Sequence, residues 1–225
     1  MKAVTLSYDD GAEQDLRLIS LLNHYGIRCT FNLIPERQNR EYTSAKPPIT
    51  VHYLPLEELP SIYAEHEVAV HTVSHPHLER LQDVRIRNEI AQCRDTLSRL
   101  FCRPIFGMAY PYGTYDERVL SIAREEGIRY ARTCNQTMDY SLCDNLLELS
   151  TTCRHSTPQL LNLAEAFVRL KPEKPQLFYL WGHSYEFDQF NNWHIIENFC
   201  RIISGRDDIF YGTNCEVLLG RKQIG

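Results

Sequence analysis

Ala3-Val4-Thr5-Leu6-Ser7-Tyr8-Asp9-Asp10-Gly11 begins as a short β-rich run and breaks into two acids and a glycine. Ala3 to Ser7 has the composition of a buried strand. Glu13 to Tyr25 then sets Leu16, Ile19 and Leu22 at helical spacing until Gly26 stops the helix. Cys29 to Ile34 reads as the next strand. Strand, helix, strand is the order that parallel pairing demands, because parallel neighbours need a long crossover that is usually helical.

The same alternation continues down the chain. Pro35 to Pro48 is polar and proline-bearing and reads as a long loop, and Leu56 to Glu65 as a short helix before a strand from Glu67 to His71. Asp83 to Phe101 is a long amphipathic helix, Ile105 to Ala109 a strand, and Asp116 to Glu126 a helix ended by Gly127. Ile128 to Thr133 and Leu146 to Leu149 read as strands, Pro158 to Leu170 as a helix, and Leu177 to Trp181 as a strongly apolar strand. Phe190 to Ser204 and Ile209 to Tyr211 give the last helix and strand. Seven or eight such units make an α/β fold with a central parallel sheet and are enough to close a barrel. No repeat, low-complexity tract or linker divides residues 1–225, so they read as a single domain.

Composition narrows the function. With 225 residues and 43% hydrophobic content, the chain can bury a full core without covalent staples. A formal net charge of -5, with no basic run, points to no nucleic-acid partner. No stretch is long and apolar enough to span a membrane, and the start of the chain does not read as a signal peptide. The eight cysteines are scattered without a Cys-x-x-Cys pair, which favours buried thiols and a cytoplasmic location.

The candidate chemistry gathers at the carboxyl ends of strands, where parallel β/α folds build their sites. Asp9 and Asp10 follow the first strand and His71-Thr72-Val73-Ser74-His75 ends the third. Tyr110-Pro111-Tyr112-Gly113 follows the fourth, and His183 follows the strand at Leu177 to Trp181. Asp-Asp-Gly alone fits a turn capping the next helix equally well. Consecutive side chains near a strand end diverge, so the two acids suit different roles, not the opposed pair of a glycosidase. Two imidazoles and one carboxylate suit zinc or another first-row divalent ion, with positions left for water. Such a site lowers the pKa of a water bound to it and needs a base and an acid beside it. Asp9 is the adjacent base and His183 the candidate acid, a packing or helix-start histidine being the alternative for His183. His77 reads as a loop residue, and His155 has no assigned role. Tyr185, Phe187 and Trp193 serve equally well as core, and Glu186 and Asp188 either bind substrate hydroxyls or cap the following helix.

Taken together, Thr5-Leu6-Ser7-Tyr8-Asp9-Asp10-Gly11, His71-x-x-x-His75, Tyr110-Pro111-Tyr112-Gly113 and His183 resemble, in order, the polysaccharide deacetylase family, the NodB-homology group or carbohydrate esterase family 4. The resemblance implies a distorted or incomplete (β/α)7-8 barrel and metal-dependent removal of acetyl groups, chiefly from N-acetylated sugars. It places the catalytic base on Asp9, the metal ligands on Asp10, His71 and His75, and the acid on His183. Pro111, Tyr112 and Trp181 fall to the substrate groove, and the Tyr112 backbone N–H to the oxyanion. The implied cofactor is one divalent ion, Zn2+ before Co2+, Ni2+ or Fe2+, and the partner an acetylated carbohydrate.

Two departures matter. Ala109 stands where the family carries an arginine that pairs with the catalytic aspartate, and Arg132 at the next strand end is the expected substitute. The Asp-x-x-Asp-Trp segment that supports the acid is reduced to an echo at Met138-Asp139-Tyr140. The competing readings are a non-catalytic carbohydrate-binding relative, an O-acetyl esterase acting on xylan, a ferrous oxygenase and a purely structural metal site. Oxygenase sites of this ligand set sit on all-β scaffolds, and structural zinc sites are rich in cysteine.

Overall fold

The computed structural model describes residues 1–220. Its strands are β1 (Lys2–Asp10), β2 (Cys29–Leu33), β3 (Glu41–Ala45), β4 (Pro48–His52), β5 (Glu67–Val70), β6 (Gly107–Ala109), β7 (Tyr130–Gln136), β8 (Leu149–Thr151), β9 (Cys153–Arg154), β10 (Gln176–Gly182) and β11 (Ile209–Tyr211). Its helices are α1 (Asp15–His24), α2 (Leu59–Ile62), α3 (Asp83–Phe101), α4 (Glu117–Glu125), α5 (Leu160–Arg169), α6 (Tyr185–Gln189), α7 (Trp193–Ile203) and α8 (Asn214–Leu218). The main sheet runs β8-β7-β6-β5-β2-β1-β10-β9, with β11 also on β1, and every pairing in it is parallel. The stretch from Leu149 to Arg154 pairs with β7 through β8 and with β10 through β9. The Thr152 N–H between them donates to the Tyr179 carbonyl at 2.9 Å. One continuous segment therefore joins the two ends of the sheet, and the result is the expected nearly closed barrel.

Strand periodicity sorts the side chains into two environments. Val4, Leu6 and Tyr8 belong to the main apolar core that also takes Leu18 and Leu22 of α1, Ile86 and Ile90 of α3, and Ile196 and Phe199 of α7. The alternate residues Thr5, Ser7 and Asp9 make polar contacts instead. Thr5 Oγ1 donates to Asn214 Oδ1 at 2.8 Å, and Asn32 Nδ2 donates to Ser7 Oγ at 2.8 Å and to Asp9 Oδ1 at 2.7 Å. All nine residues of β1 are buried, as expected for a parallel strand covered on both faces. The polar row leads from the barrel interior to Asp9 at its carboxyl end.

Several expected elements differ. The segment read as a loop from Pro35 to Pro48 contains a 3-10 turn at Pro35–Arg37 and the antiparallel hairpin β3–β4. This hairpin is mostly exposed and lacks an alternating apolar face, which removes the signal by which strands are read. Its continuation braces the turn that follows β1, since Glu13 N–H donates to the His52 carbonyl at 2.8 Å and Leu54 N–H to the Gly11 carbonyl at 3.1 Å. The helix expected from Phe190 begins instead at Trp193, and a separate helix, α6, precedes it. The strand expected at Leu146 to Leu149 lies at Leu149–Thr151, and the helix expected over Leu56 to Glu65 shortens to a 3-10 turn and α2.

Asp15, fully buried at the start of α1, accepts a 2.6 Å hydrogen bond from the Tyr63 hydroxyl. Burial pushes its carboxyl up to about 7, against the opposing pull of the Ser184 and Tyr63 hydroxyls, from an ordinary value of 3.8. The folded chain then holds a proton that the unfolded chain releases. Its stabilising contribution is complete below the unfolded value and is lost as pH rises through about 7. Urea unfolding at about pH 5 and about pH 7 should show this decline in the wild type and a flatter profile in Asp15→Asn.

Candidate active site and metal centre

The site forms where β1, β5 and β10 end, and Arg132 reaches it from within β7. Asp9 and Asp10 are consecutive, yet both reach it, because Asp10 takes the left-handed conformation (φ 84°) and Gly11 follows with φ 79°. The turn is fixed from outside by buried Gln38, whose Nε2 donates to the Asp10 carbonyl at 3.1 Å and the Ile34 carbonyl at 3.2 Å. A Cβ on Gly11 would come within 3.0 Å of Gln38 Nε2 and Leu33 Cδ2, so the position is also sterically confined.

The His71 to His75 loop is held in the same manner. Thr72 and His75 have φ of 64° and 62°, unusual values for side-chain-bearing residues. Glu89, buried on α3, accepts from the N–H groups of Val73 and Ser74 at 2.9 Å each and from the Ser74 hydroxyl at 2.7 Å. His75 N–H donates to Thr72 Oγ1 at 3.0 Å. His71 Nδ1 lies 2.8 Å from the Ala109 carbonyl, which fixes the proton on Nδ1 and leaves Nε2 as a lone-pair donor.

Asp10, His71 and His75 each offer one ligand atom, and these atoms all lie within 4.8 Å of one another. The chemistry of the set fits a divalent cation. Asp10 Oδ1 and His75 Nδ1 are buried with no hydrogen-bond partner among the described residues, a costly state unless a ligand satisfies them. Burial pushes both imidazoles down, that of His75 to about 2 with help from the nearby His71 and Arg37, so both are neutral as ligation requires. Arg37 Nη1, 3.6 Å from Asp10 Oδ2, is the nearest cation to the carboxylate ligand.

Asp9 lies beside these ligand atoms but is engaged by a different cation. Arg132 Nη2 bridges its two oxygens at 2.7 and 2.5 Å. Its Oδ2 is 3.9 Å from both His71 Nε2 and His183 Nε2. Burial alone would raise this carboxyl, but Arg132, with His183, holds it at about 2, so it is ionised at neutral pH. The register explains how Arg132 stands in for an arginine at Ala109: the two residues are direct partners across β6 and β7, so the guanidinium enters at the same level from one strand over.

Trp181, expected in the substrate groove, is only 6% exposed. Arg132 and Arg154 lie against its ring, 4.5 and 5.1 Å from the centroid, and it acts as a platform for those cations. Pro111 is likewise buried and shapes the turn, while Tyr112 is 53% exposed and stacks on His77 with centroids 3.9 Å apart. His183 is part-exposed, and Glu186 and His155 lie behind it. Burial would lower the His183 imidazole, but Glu186, Asp10 and Asp9 carry it above its usual value. Among residues with no expected role, Asn32 and Glu89 fix Asp9 and the histidine loop. Asn32 carried a readable sign, a polar side chain alternating with apolar Phe31 and Leu33 in a buried strand.

Arg132→Met leaves the Asp9 carboxylate buried without its cation and should cost about 3–5 kcal/mol in unfolding free energy, of which Arg132→Met with Asp9→Asn should regain a large part. Zn2+ added to metal-free protein should raise the thermal unfolding midpoint, and His75→Ala should abolish that rise.

A family model described as polysaccharide deacetylase matches residues 1–131. A curated relative, a peptidoglycan-N-acetylglucosamine deacetylase of Bacillus cereus, is 26% identical over 195 residues, covering 76% of this chain, and the chain spans 62% of the relative's length. Two solved structures share the fold. A family 4 carbohydrate esterase of Streptomyces lividans in complex with acetate matches with TM-score 0.56 at 16% identity, covering 89% of this chain and 87% of that one. A carbohydrate esterase family 4 pseudoenzyme of Bacillus anthracis matches with TM-score 0.58 at 14% identity, covering 97% and 66%. With more than half of its length matched by the family model and its barrel shared with those structures, the chain belongs to the polysaccharide deacetylase family.

Proposed function

We propose that the chain is a metal-dependent hydrolase that removes acetyl groups, acting by N-deacetylation of an N-acetylated sugar or oligosaccharide. The observation that carries this reading is the ionised, buried Asp9 clamped by Arg132, its Oδ2 facing His183 Nε2 at 3.9 Å, beside the Asp10, His71 and His75 cluster. A divalent cation held by those three residues would polarise the acetyl carbonyl and acidify water. Zinc suits two imidazoles and a carboxylate, and Co2+, Ni2+ and Fe2+ are the alternatives.

The chain's own groups account for the proton movements. Asp9 accepts a proton from the water whose oxygen bonds to the acetyl carbon. His183 Nε2 gives a proton to the sugar nitrogen as the C–N bond breaks and its electron pair stays on nitrogen. Acetate and the free amine result. Arg132 acts through Asp9, keeping it charged and oriented. The Tyr112 N–H is the donor assigned to the developing oxyanion, and the exposed Tyr112 ring the surface assigned to the sugar. The arginine missing at Ala109 was the main ground for a non-catalytic reading, and the guanidinium of Arg132 on Asp9 weakens it.

The test is acetate release by metal-reconstituted protein from a panel of N- and O-acetylated sugars, beginning with N-acetylglucosamine oligomers. Release from the N-acetylated members is expected. Asp9→Asn should lower it by about a hundredfold to ten-thousandfold while keeping the zinc-induced rise in unfolding midpoint. Release from O-acetylated xylan alone would make the chain an esterase, and sugar binding without release would make it a non-catalytic relative. An Asp9→Asn variant as active as wild type overturns the assignment of the base.

A further inference from the structure

His183 has a carboxylate behind it that the family segment does not supply. Glu186, one turn further along at the start of α6, is 9% exposed and sits among three nitrogen-bearing side chains. Its Oε1 lies 3.5 Å from His183 Nδ1 and also ion-pairs with Arg154. Its Oε2 lies 2.9 Å from Nε2 of His155. His155 is itself locked: it is 2% exposed, its Nδ1 is 3.3 Å from the Tyr8 hydroxyl, and its ring packs on Phe187 with centroids 4.3 Å apart. A Cβ at Gly182 would come within 2.1 Å of His155 Nδ1, so the backbone leading into His183 closes directly onto that ring.

We propose that Glu186 is the positioning residue of the general acid: it accepts a hydrogen bond from Nδ1–H of His183, fixing the imidazole so that Nε2 faces the reacting centre. This rests on the deacetylase reading and names a part of its machinery that the faint Met138-Asp139-Tyr140 echo does not supply, since Asp139 is exposed and accepts from the Ser141 N–H. His183 has only two ring nitrogens. Nε2 is directed to Asp9 at 3.9 Å, so Nδ1 is the only handle by which the fold can orient the ring. Around that handle stand Glu186 from α6 and Arg154 from β9, whose Nη2 is 3.4 Å from Nδ1. Asp9 of β1 and the Tyr185 and Trp181 rings complete the surroundings. Arg154 can only donate, and would do so to a bare Nδ1; when Nδ1 carries the proton, the group that can accept it is Glu186. Arg154 ion-pairs with Glu186 Oε1, and His155 Nε2 lies 2.9 Å from Oε2.

A general acid matters only when the leaving group needs a proton. An amine leaving from an N-acetyl sugar needs one, and an activated phenolate leaving from an aryl acetate does not. Glu186→Gln, reconstituted with Zn2+, should therefore lose kcat on an N-acetylglucosamine oligomer by at least about tenfold more than on 4-nitrophenyl acetate, with KM within about twofold of wild type. In a His183→Gln background the same change should add less than about twofold, because the two residues act as one unit. Equal losses on both substrates, or full additivity with His183→Gln, overturn the positioning role while the deacetylase reading stands. No acetate from either substrate with wild-type protein overturns that reading and the role with it. A second measurement needs neither turnover nor a variant that folds: long-range 1H–15N spectra of wild-type His183 at neutral pH should show a proton on Nδ1. A bare Nδ1 overturns the pairing.

Discussion

A carboxylate sealed inside a barrel must have a cation, and the Asp9–Arg132 pair sets the terms for the rest of this site. Charge in a low-dielectric interior is costly unless paired and hydrogen-bonded. Here one guanidinium nitrogen spans both Asp9 oxygens and Asn32 adds a neutral donor. Arg132 is itself buried and rests on the Trp181 ring. The pairing leaves Oδ2 charged and turned toward two imidazoles. Partnering an ion in the interior and creating a reactive group are, at this position, the same arrangement.

The other constraint is backbone strain at the strand ends. Asp10, Thr72, His75 and Tyr112 all occupy the left-handed region. Such conformations cost about 1–3 kcal/mol each and persist only where surrounding contacts over-determine them. Gln38 and the hairpin β3–β4 hold the first turn and Glu89 holds the second. Each brace comes from an element with no part in the chemistry. The barrel supplies a rigid ring of strand ends, and these polar struts convert ends that would splay outward into a converging set of donors.

Around that set the molecule builds a layer of mutual support. Trp181 carries Arg132 on one contact and Arg154 on another, and Arg154 pairs with Glu186, which lies beside His183 and His155. The Asp9 side and the His183 side of the site thus share one indole. Membership of the polysaccharide deacetylase family accords with this economy, although the family arginine at Ala109 and the carboxylate segment behind the acid are both missing from their usual places in the chain. Geometry replaces them from elsewhere: Arg132 from the neighbouring strand, Glu186 from the helix after His183.

The sequence by itself determined the alternation of strands and helices, because hydrophobic periodicity is a local property. It marked the helix from Asp83 to Phe101 and the strand from Ile209 to Tyr211 at their observed limits. It also determined that Asp9, Asp10, His71, His75 and His183 would meet at one rim, since in a parallel barrel all strands end on the same side. It did not reveal the hairpin over Glu41 to His52, whose strands are exposed and lack an apolar period, or the separate start of α6. It offered Arg132 as the partner of the Asp9 carboxylate but not the register that delivers it, and it did not place Glu186 beside His183. Arg132 reaches that carboxylate because β6 and β7 pair Ala109 with Arg132, and Glu186 reaches His183 because a helical turn begins at Tyr185. Register and turn geometry are set by packing between segments far apart in the chain, and only the tertiary structure could decide them.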